Sequence, residues 1–228
     1  MKVTFLVPAY NEAATICELL DRVWALDLDK QLVIVDDGST DATASLVESW
    51  ADGRDGVLLV RKANGGKGSA LRAGIPHVAG DVVVIQDADL EYDPADVPEL
   101  LRPIEDGHAD VVYGSRLSGG RPQRAFLFWH LLGNRFLTLL TNVLFNTTLS
   151  DMETGYKVFR AEVLATLDLR EDSFGIEPEI TGKICKRKLR LYELPISYYG
   201  RTYEEGKKIT WRDGFRAVWV LLRVRFAG

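Results

Sequence analysis

The chain has 228 residues, 46% hydrophobic and 27% charged, with a formal net charge of −5 at neutral pH. That is the composition of a globular chain long enough for one large domain with a full core, and a net acidic chain is not expected to take a nucleic-acid partner. Its two cysteines, Cys17 and Cys185, are far apart and match no metal or redox spacing, which excludes a disulfide framework and suits a reducing compartment.

The chain enters a strand pattern at once, with no signal peptide visible in "MKVTFLVPAY". Apolar, β-branched runs at Val3–Val7, Leu32–Val35, Val57–Val60, Val82–Ile85 and Val111–Tyr113 predict strands. Helix-length patterns separate them, at Glu12–Ala25, Asp41–Trp50, Lys67–Val78 and Pro94–Glu105. Each gap is long enough for a crossover helix, so the expectation is an α/β fold with a largely parallel sheet and helices on both faces. Ligands of such sheets bind at the carboxyl ends of the strands. "PAYNE", "DDGSTD", "ANGGKG" and "DADLE" follow the first four strands in turn, so all four polar clusters fall on one edge and form one site. There are no internal repeats and no linker, and residues 1–228 read as a single domain.

In "DADLEYDP" four carboxylates occupy seven positions, and they repel one another unless something positive sits among them. Asp93–Pro94 is a good helix start, which leaves Asp87, Asp89 and Glu91. Asp89 with Glu91, or Asp87 with Asp89, offers hard oxygen ligands for Mg²⁺ or Mn²⁺, and Mg²⁺ is usually held by one or two carboxylates plus substrate phosphates. In "VDDGSTD" helix capping accounts for Ser39 to Asp41 but not for two aspartates ending a buried strand, where a carboxylate could accept hydrogen bonds from a ribose or a base. "ANGGKGSA" lacks the Walker spacing, yet it presents backbone N–H groups and Lys67 at a helix start.

Together "VPAYNE", "VDDGSTD", "NGGKG", "QDADLEYDP" and "YGSR" resemble glycosyltransferase family 2, which has the nucleotide-sugar-binding GT-A fold. "DMETGYKVFR" (151–160) and "PISYYGRTYEEGKK" (195–208) are similar to the dolichyl- and polyprenyl-phosphate sugar synthases within it. The resemblance covers nearly the whole chain. It implies that Pro8, Tyr10, Glu12, Val35 and Asp37 surround the nucleoside, and that Asp87 and Ala88 line the nucleotide. Asp89 and Glu91 would hold the metal, with glutamine in many relatives where Glu91 stands here. Arg116, Arg201 and Lys207 would face the phosphates of donor and acceptor and, with Asp89, carry the catalysis.

The implied reaction is an inverting, metal-dependent transfer of a hexose from GDP-mannose or a UDP-hexose to a polyprenyl or dolichyl phosphate. Hydroxyl attack needs a general base, whereas a phosphate monoester is already an anion at neutral pH and attacks directly. The polymerase motif Gln-x-x-Arg-Trp is absent, which disfavours a processive synthase. One alternative is a family 2 enzyme with a glycan or protein acceptor, for which Asp151 or Glu177 would be the candidate base. Another is an inactive relative that binds nucleotide sugar as a regulator.

The remaining patterns concern a membrane. From Thr181 to Gly228 there are twelve basic against four acidic residues, and no Asp or Glu lies between Asp110 and Asp151. Residues 124–146 could span a bilayer by length, but His130, Asn134 and Arg135 interrupt them, which predicts an amphipathic helix lying in the interface. Within 211–228, Trp211, Phe215, Val218, Leu222 and Phe226 share a stripe beside a ridge of Arg212, Arg216 and Arg223, a pattern suited to anionic lipid. The expectation is a peripheral protein on the cytoplasmic face of a membrane. A second reading makes the same helices ordinary core or homodimer contacts.

Overall fold

The computed structural model describes residues 1–124, 127–201 and 211–227, with side chains from 213 onward in the last stretch. Among the described residues seven strands form one sheet: β1 (Val3–Ala9), β2 (Lys30–Asp36), β3 (Val57–Arg61), β4 (Val82–Ile85), β5 (Val111–Ser115), β6 (Lys157–Arg160) and β7 (Leu191–Pro195). Their spatial order is β3-β2-β1-β4-β6-β5-β7. Neighbours run parallel except at β6, which is antiparallel to both β4 and β5. The expected α/β architecture is present. The antiparallel β6 and the edge strand β7 are additions to the five expected strands, because their short mixed segments carry no alternation of their own.

Eight α-helices among the described residues accompany the sheet: α1 (Ile16–Trp24), α2 (Thr43–Ala51), α3 (Lys67–Gly74), α4 (Val97–Glu105), α5 (Phe128–Phe145), α6 (Ala161–Thr166), α7 (Ile176–Lys186) and α8 (Trp211–Ala227). Side chains alternate across the sheet, so β1 sends Phe5 and Val7 to one face and Leu6 to the other. The first face packs on α1, α2 and α4 through residues such as Leu19, Val47 and Leu100. The second packs on α3, α6 and α7 through Leu71, Leu164 and Ile180. A smaller core joins α5 to α8 through Leu137, Met152, Ala217 and Leu221.

Helix ends depart from expectation for local reasons. α3 stops at Gly74 and a 3-10 turn, Ile75–His77, carries Pro76, which has no N–H to extend the ladder. Asp93 does cap its turn, accepting from the Ala95 N–H at 3.0 Å, and α4 proper follows from Val97. α1 begins only at Ile16, because residues 11–13 are drawn toward the loop after β2. There Asn11 N–H donates to Ser39 Oγ at 3.0 Å and Glu12 N–H to Thr43 Oγ1 at 2.9 Å.

Candidate active site

The carboxyl ends of β1 to β4 bring the four polar clusters together, as expected. The loop after β3 is tied to the end of β2 through Asp37, which is 3% exposed. Its carboxylate accepts from the Gly65 and Gly66 N–H groups at 3.1 and 2.7 Å and from Lys62 Nζ, while its carbonyl accepts from Asn64 Nδ2. Gly38 permits this closure: its φ is +73°, and a Cβ there would come within 2.6 Å of Asn64 N. The hydrogen bonds that Asp37 was expected to accept from a nucleoside therefore meet a carboxylate that already holds the loop. Lys62, absent from the sequence-based set, is the cation at this position. Val35 is likewise core: its fully buried side chain faces Gly74 beside Leu6, leaving only its backbone toward a nucleoside. Pro8 pairs with it in β1, one residue before that strand ends, and Tyr10 just beyond the strand stands at the rim with 37% exposure.

Lys67, at the start of α3, lies between Asp87 Oδ1 at 2.7 Å and Glu177 Oε1 at 2.9 Å. Burial works against its charge, but these two carboxylates outweigh burial and raise its pKa. Gly155 makes room for the pair, since a Cβ there would sit 2.5 Å from Asp87 Oδ2. Ala88 is buried, and its carbonyl accepts from Thr15 Oγ1 at 2.8 Å.

The positive partner among the remaining carboxylates is Arg201. Its Nη2 lies 2.9 Å from Asp89 Oδ2, its Nη1 3.3 Å from Glu12 Oε2 and its Nε 3.7 Å from Glu91 Oε1. Glu91 in turn accepts from Tyr198 OH at 2.8 Å and from the Arg201 backbone N–H at 2.7 Å. Burial and the charges of Asp87 and Glu91 push the Asp89 carboxyl up to about 7, against the pull of Arg201. Among the described residues no three potential ligands gather into a ready metal cage. The donor chemistry still fits a hard divalent cation held by one or two carboxylates with substrate phosphates, since Asp89 and its neighbours are oxygen donors, paired here with a guanidinium.

Arg116 does not stand open to a phosphate either. Its Nε and Nη2 reach Asp151 Oδ2 and Oδ1 at 2.7 and 2.8 Å, and its guanidinium lies 5.1 Å from the Tyr198 ring centre. Asp151 is fully buried and also accepts from Asn134 Nδ2 of α5 at 2.8 Å. Burial alone would raise its pKa, but Arg116 overrides that and keeps it low. Glu177, the other candidate base, is committed to Lys67. Lys207 lies outside the described residues.

Tyr198 is the member of the site that sequence reasoning missed. It packs on Tyr92 at 5.6 Å between ring centres, sits beneath Arg116 and holds Glu91, so one side chain touches three parts of the site. Its partners lie as far away as 107 residues in the chain, so the motif at 195–208 pointed to the segment but not to this side chain.

The two amphipathic segments form α5 and α8, with their polar sides turned inward. Asn134 binds Asp151, and Thr138 Oγ1 accepts from the Met152 N–H at 3.1 Å. The outer side of α5 carries Phe128, Trp129, Leu132, Phe136, Leu139 and Val143, all exposed. On α8 the exposed stripe is Phe215, Trp219, Leu222 and Phe226, while Val218 packs into the small core. The side chains of Trp211 and Arg212 lie outside the described residues. The arginine ridge expected to face lipid is used internally: Arg216 lies 2.8 Å from Glu171, and Arg223 lies 2.9 Å from Glu171 and 3.4 Å from Glu179. Both acids are buried, so they claim the nearest cations. No described helix is long and apolar enough to cross a membrane.

Residues 4–168 match the family model described as Glycosyl transferase family 2. The chain is 31% identical to glycosyltransferase AglJ of Haloferax volcanii over 87% of its own length and 63% of the relative's. It is 30% identical to the low-salt glycan biosynthesis hexosyltransferase Agl6 of the same organism, over 95% of this chain and 52% of that one. Against the undecaprenyl-phosphate 4-deoxy-4-formamido-L-arabinose transferase of an Enterobacter species the figures are 29%, 90% and 62%. The chain thus spans between about half and three fifths of the length of these curated relatives. Among solved structures, glucosyl-3-phosphoglycerate synthase from Mycobacterium tuberculosis, in complex with Mn²⁺, UDP and phosphoglyceric acid, superposes with a TM-score of 0.75 at 20% identity. That match covers 100% of this chain and 79% of the synthase, and it is a likeness of fold.

Proposed function

The chain belongs to glycosyltransferase family 2 and has the GT-A fold, and from that premise we propose that it transfers a hexose from a nucleotide diphosphate sugar to a polyprenyl phosphate. One observation carries the choice of acceptor. The two acids that could deprotonate a hydroxyl, Asp151 and Glu177, are buried and bound to Arg116 and Lys67. Asp151 has both oxygens engaged and Glu177 is ion-paired to Lys67 through Oε1, so neither is an unpaired base for a hydroxyl, whereas a phosphate acceptor brings its own negative charge. An undecaprenyl-phosphate sugar transferase among the relatives supports the same reading.

In this reading the donor lies across the ends of β1 to β4. The Asp37-bound loop and Lys67 shape the nucleotide side, and Asp89, with Glu91 or Asp87 beside it, would hold Mg²⁺ or Mn²⁺ against the diphosphate. That cation, when bound, supplies Lewis-acid stabilisation of the leaving group. Arg201 would offset the remaining phosphate charge, Arg116 being held by Asp151 and Lys207 having been expected to join it. An acceptor phosphate oxygen bonds to the anomeric carbon from one side while the bond to the diphosphate oxygen breaks on the other, inverting the centre. The exposed apolar faces of α5 and α8 would rest on the membrane that carries the acceptor, on its cytoplasmic side.

Purified protein, a short polyprenyl phosphate and Mn²⁺ or Mg²⁺, offered labelled GDP-mannose, UDP-glucose or UDP-N-acetylgalactosamine separately, test the proposal. Organic-phase label from one donor is expected, lost on chelation and reduced at least about a thousandfold in Asp89→Asn. Donor binding without lipid label would reject the lipid-phosphate acceptor and favour a glycan or protein one.

A further inference from the structure

The guanidinium of Arg201 is the cation that the strand-end carboxylates hold. Its three nitrogens reach three carboxylates from two chain segments, Glu12 after β1 and Asp89 and Glu91 after β4. Its side chain is 22% exposed and theirs are 11%, 18% and 14%, so water screens the charges only in part. The fit is incomplete: Arg201 Nε is buried without a hydrogen-bond partner, 3.7 Å from the nearest Glu91 oxygen. A guanidinium in its final position would use its full fork of donors. Here the backbone, through the Arg201 N–H on Glu91 Oε1, is better anchored than the head group.

We infer that Arg201 is a stand-in cation: it and the divalent metal are alternative partners of Asp89 and Glu91, Glu12 serving only to hold the arginine, and the nucleotide sugar drives the exchange. The inference rests on the metal-dependent donor site proposed above. Exclusion follows from distance. A ligand oxygen of Mg²⁺ lies about 2.0–2.1 Å from the ion, and Asp89 Oδ2 already has Arg201 Nη2 at 2.9 Å. Coordination through that oxygen would press two positive centres together. The diphosphate resolves the conflict, because its oxygens complete the metal's shell and also offer the displaced guanidinium a bidentate acceptor. Arg201 therefore offsets part of the free site's negative charge, weakens binding of the metal alone, and turns to the phosphates once the donor arrives.

Titration of Mn²⁺ into the full chain, followed by electron paramagnetic resonance, reads this without turnover. Wild type should bind Mn²⁺ alone weakly and much more tightly with GDP or UDP present. Arg201→Gln should bind Mn²⁺ alone at least roughly tenfold more tightly than wild type, and the gain should vanish or reverse with the nucleotide. Glu12→Gln, which loosens the arginine from another side, should give a smaller gain of the same sign, and melting curves confirm that each variant is folded. Arg201→Gln binding Mn²⁺ alone no more tightly than wild type, while Mn²⁺ with nucleotide still binds, overturns the stand-in role and leaves the donor site intact. No Mn²⁺ binding by any variant with either nucleotide overturns both.

Discussion

The strand-end site and the outer face of α5 and α8 meet ligands in opposite ways. In the site nearly every charge has a partner from the chain itself: Lys62 has Asp37, Lys67 has Asp87 and Glu177, Arg116 has Asp151, and Arg201 has Asp89 and Glu12. On the helical face ten large apolar side chains are exposed. A ligand entering the first region must replace existing pairs, so specificity there comes from exchange. A surface meeting the second region only removes water, so its selectivity is low and its driving force grows with area.

The largest expected effect breaks a pair inside the site. Asp151→Ala leaves Arg116 buried without its counter-ion and should cost about 3–5 kcal/mol in denaturant unfolding. The double variant Asp151→Ala/Arg116→Met should recover much of that loss. A pH profile sharpens the point. The Asp151 pKa is lowered by folding, so its contribution is complete above the ordinary aspartate value and is lost as pH falls through the depressed one. Wild type should therefore lose stability on acidification over a window that Asp151→Ala no longer shows.

Next comes the outer face. Trp129→Glu with Phe136→Glu should weaken binding to liposomes of mixed anionic and neutral lipid at least about tenfold, measured by co-sedimentation. Stability should move by no more than about 0.5 kcal/mol, because both side chains are exposed. A tetramer or dimer dissociating in these variants, with liposome binding unchanged, would assign the face to a second copy of the chain.

The smallest effect separates the two regions at their seam. Arg216→Ala should cost about 1 kcal/mol or less, given the arginine's own exposure, by removing a partner of Glu171. Liposome binding should stay as in wild type, since Arg216 is engaged with the protein; a loss of binding would return it to the lipid-facing set.

These contrasts explain what the sequence disclosed. Strand ends were legible because a β-branched run followed by carboxylates is a local pattern, and Asp87, Asp89 and Lys67 were found that way. Pairing was not legible, because it joins distant positions: Arg201 meets Glu12 across 189 residues and Tyr198 meets Glu91 across 107. The acid-free stretch after Asp110 illustrates the same limit. Its basic residues find partners elsewhere in the chain, Arg116 at Asp151, Arg121 at Glu99 and Arg124 at the Gly200 carbonyl. α5 was placed correctly as an amphipathic helix, but which of its sides faced the protein depended on Asp151, which lies beyond it.

The reversed strand β6 has a consequence for how such a molecule could be re-engineered. Because it runs against β4 and β5, Lys157 at its start stands opposite Ile85, the last residue of β4, and Tyr113, midway along β5. The chain leaves the sheet after β5 and re-enters it through β6 on the same edge, like a handle fixed at two neighbouring points. Residues 117–149 could be exchanged for another connection with the sheet register intact, provided the replacement keeps the contacts that Asn134 and Thr138 make with Asp151 and Met152 and the packing on α8. Such a graft would alter what the enzyme docks against while the pocket built on β1 to β4 stayed as it was.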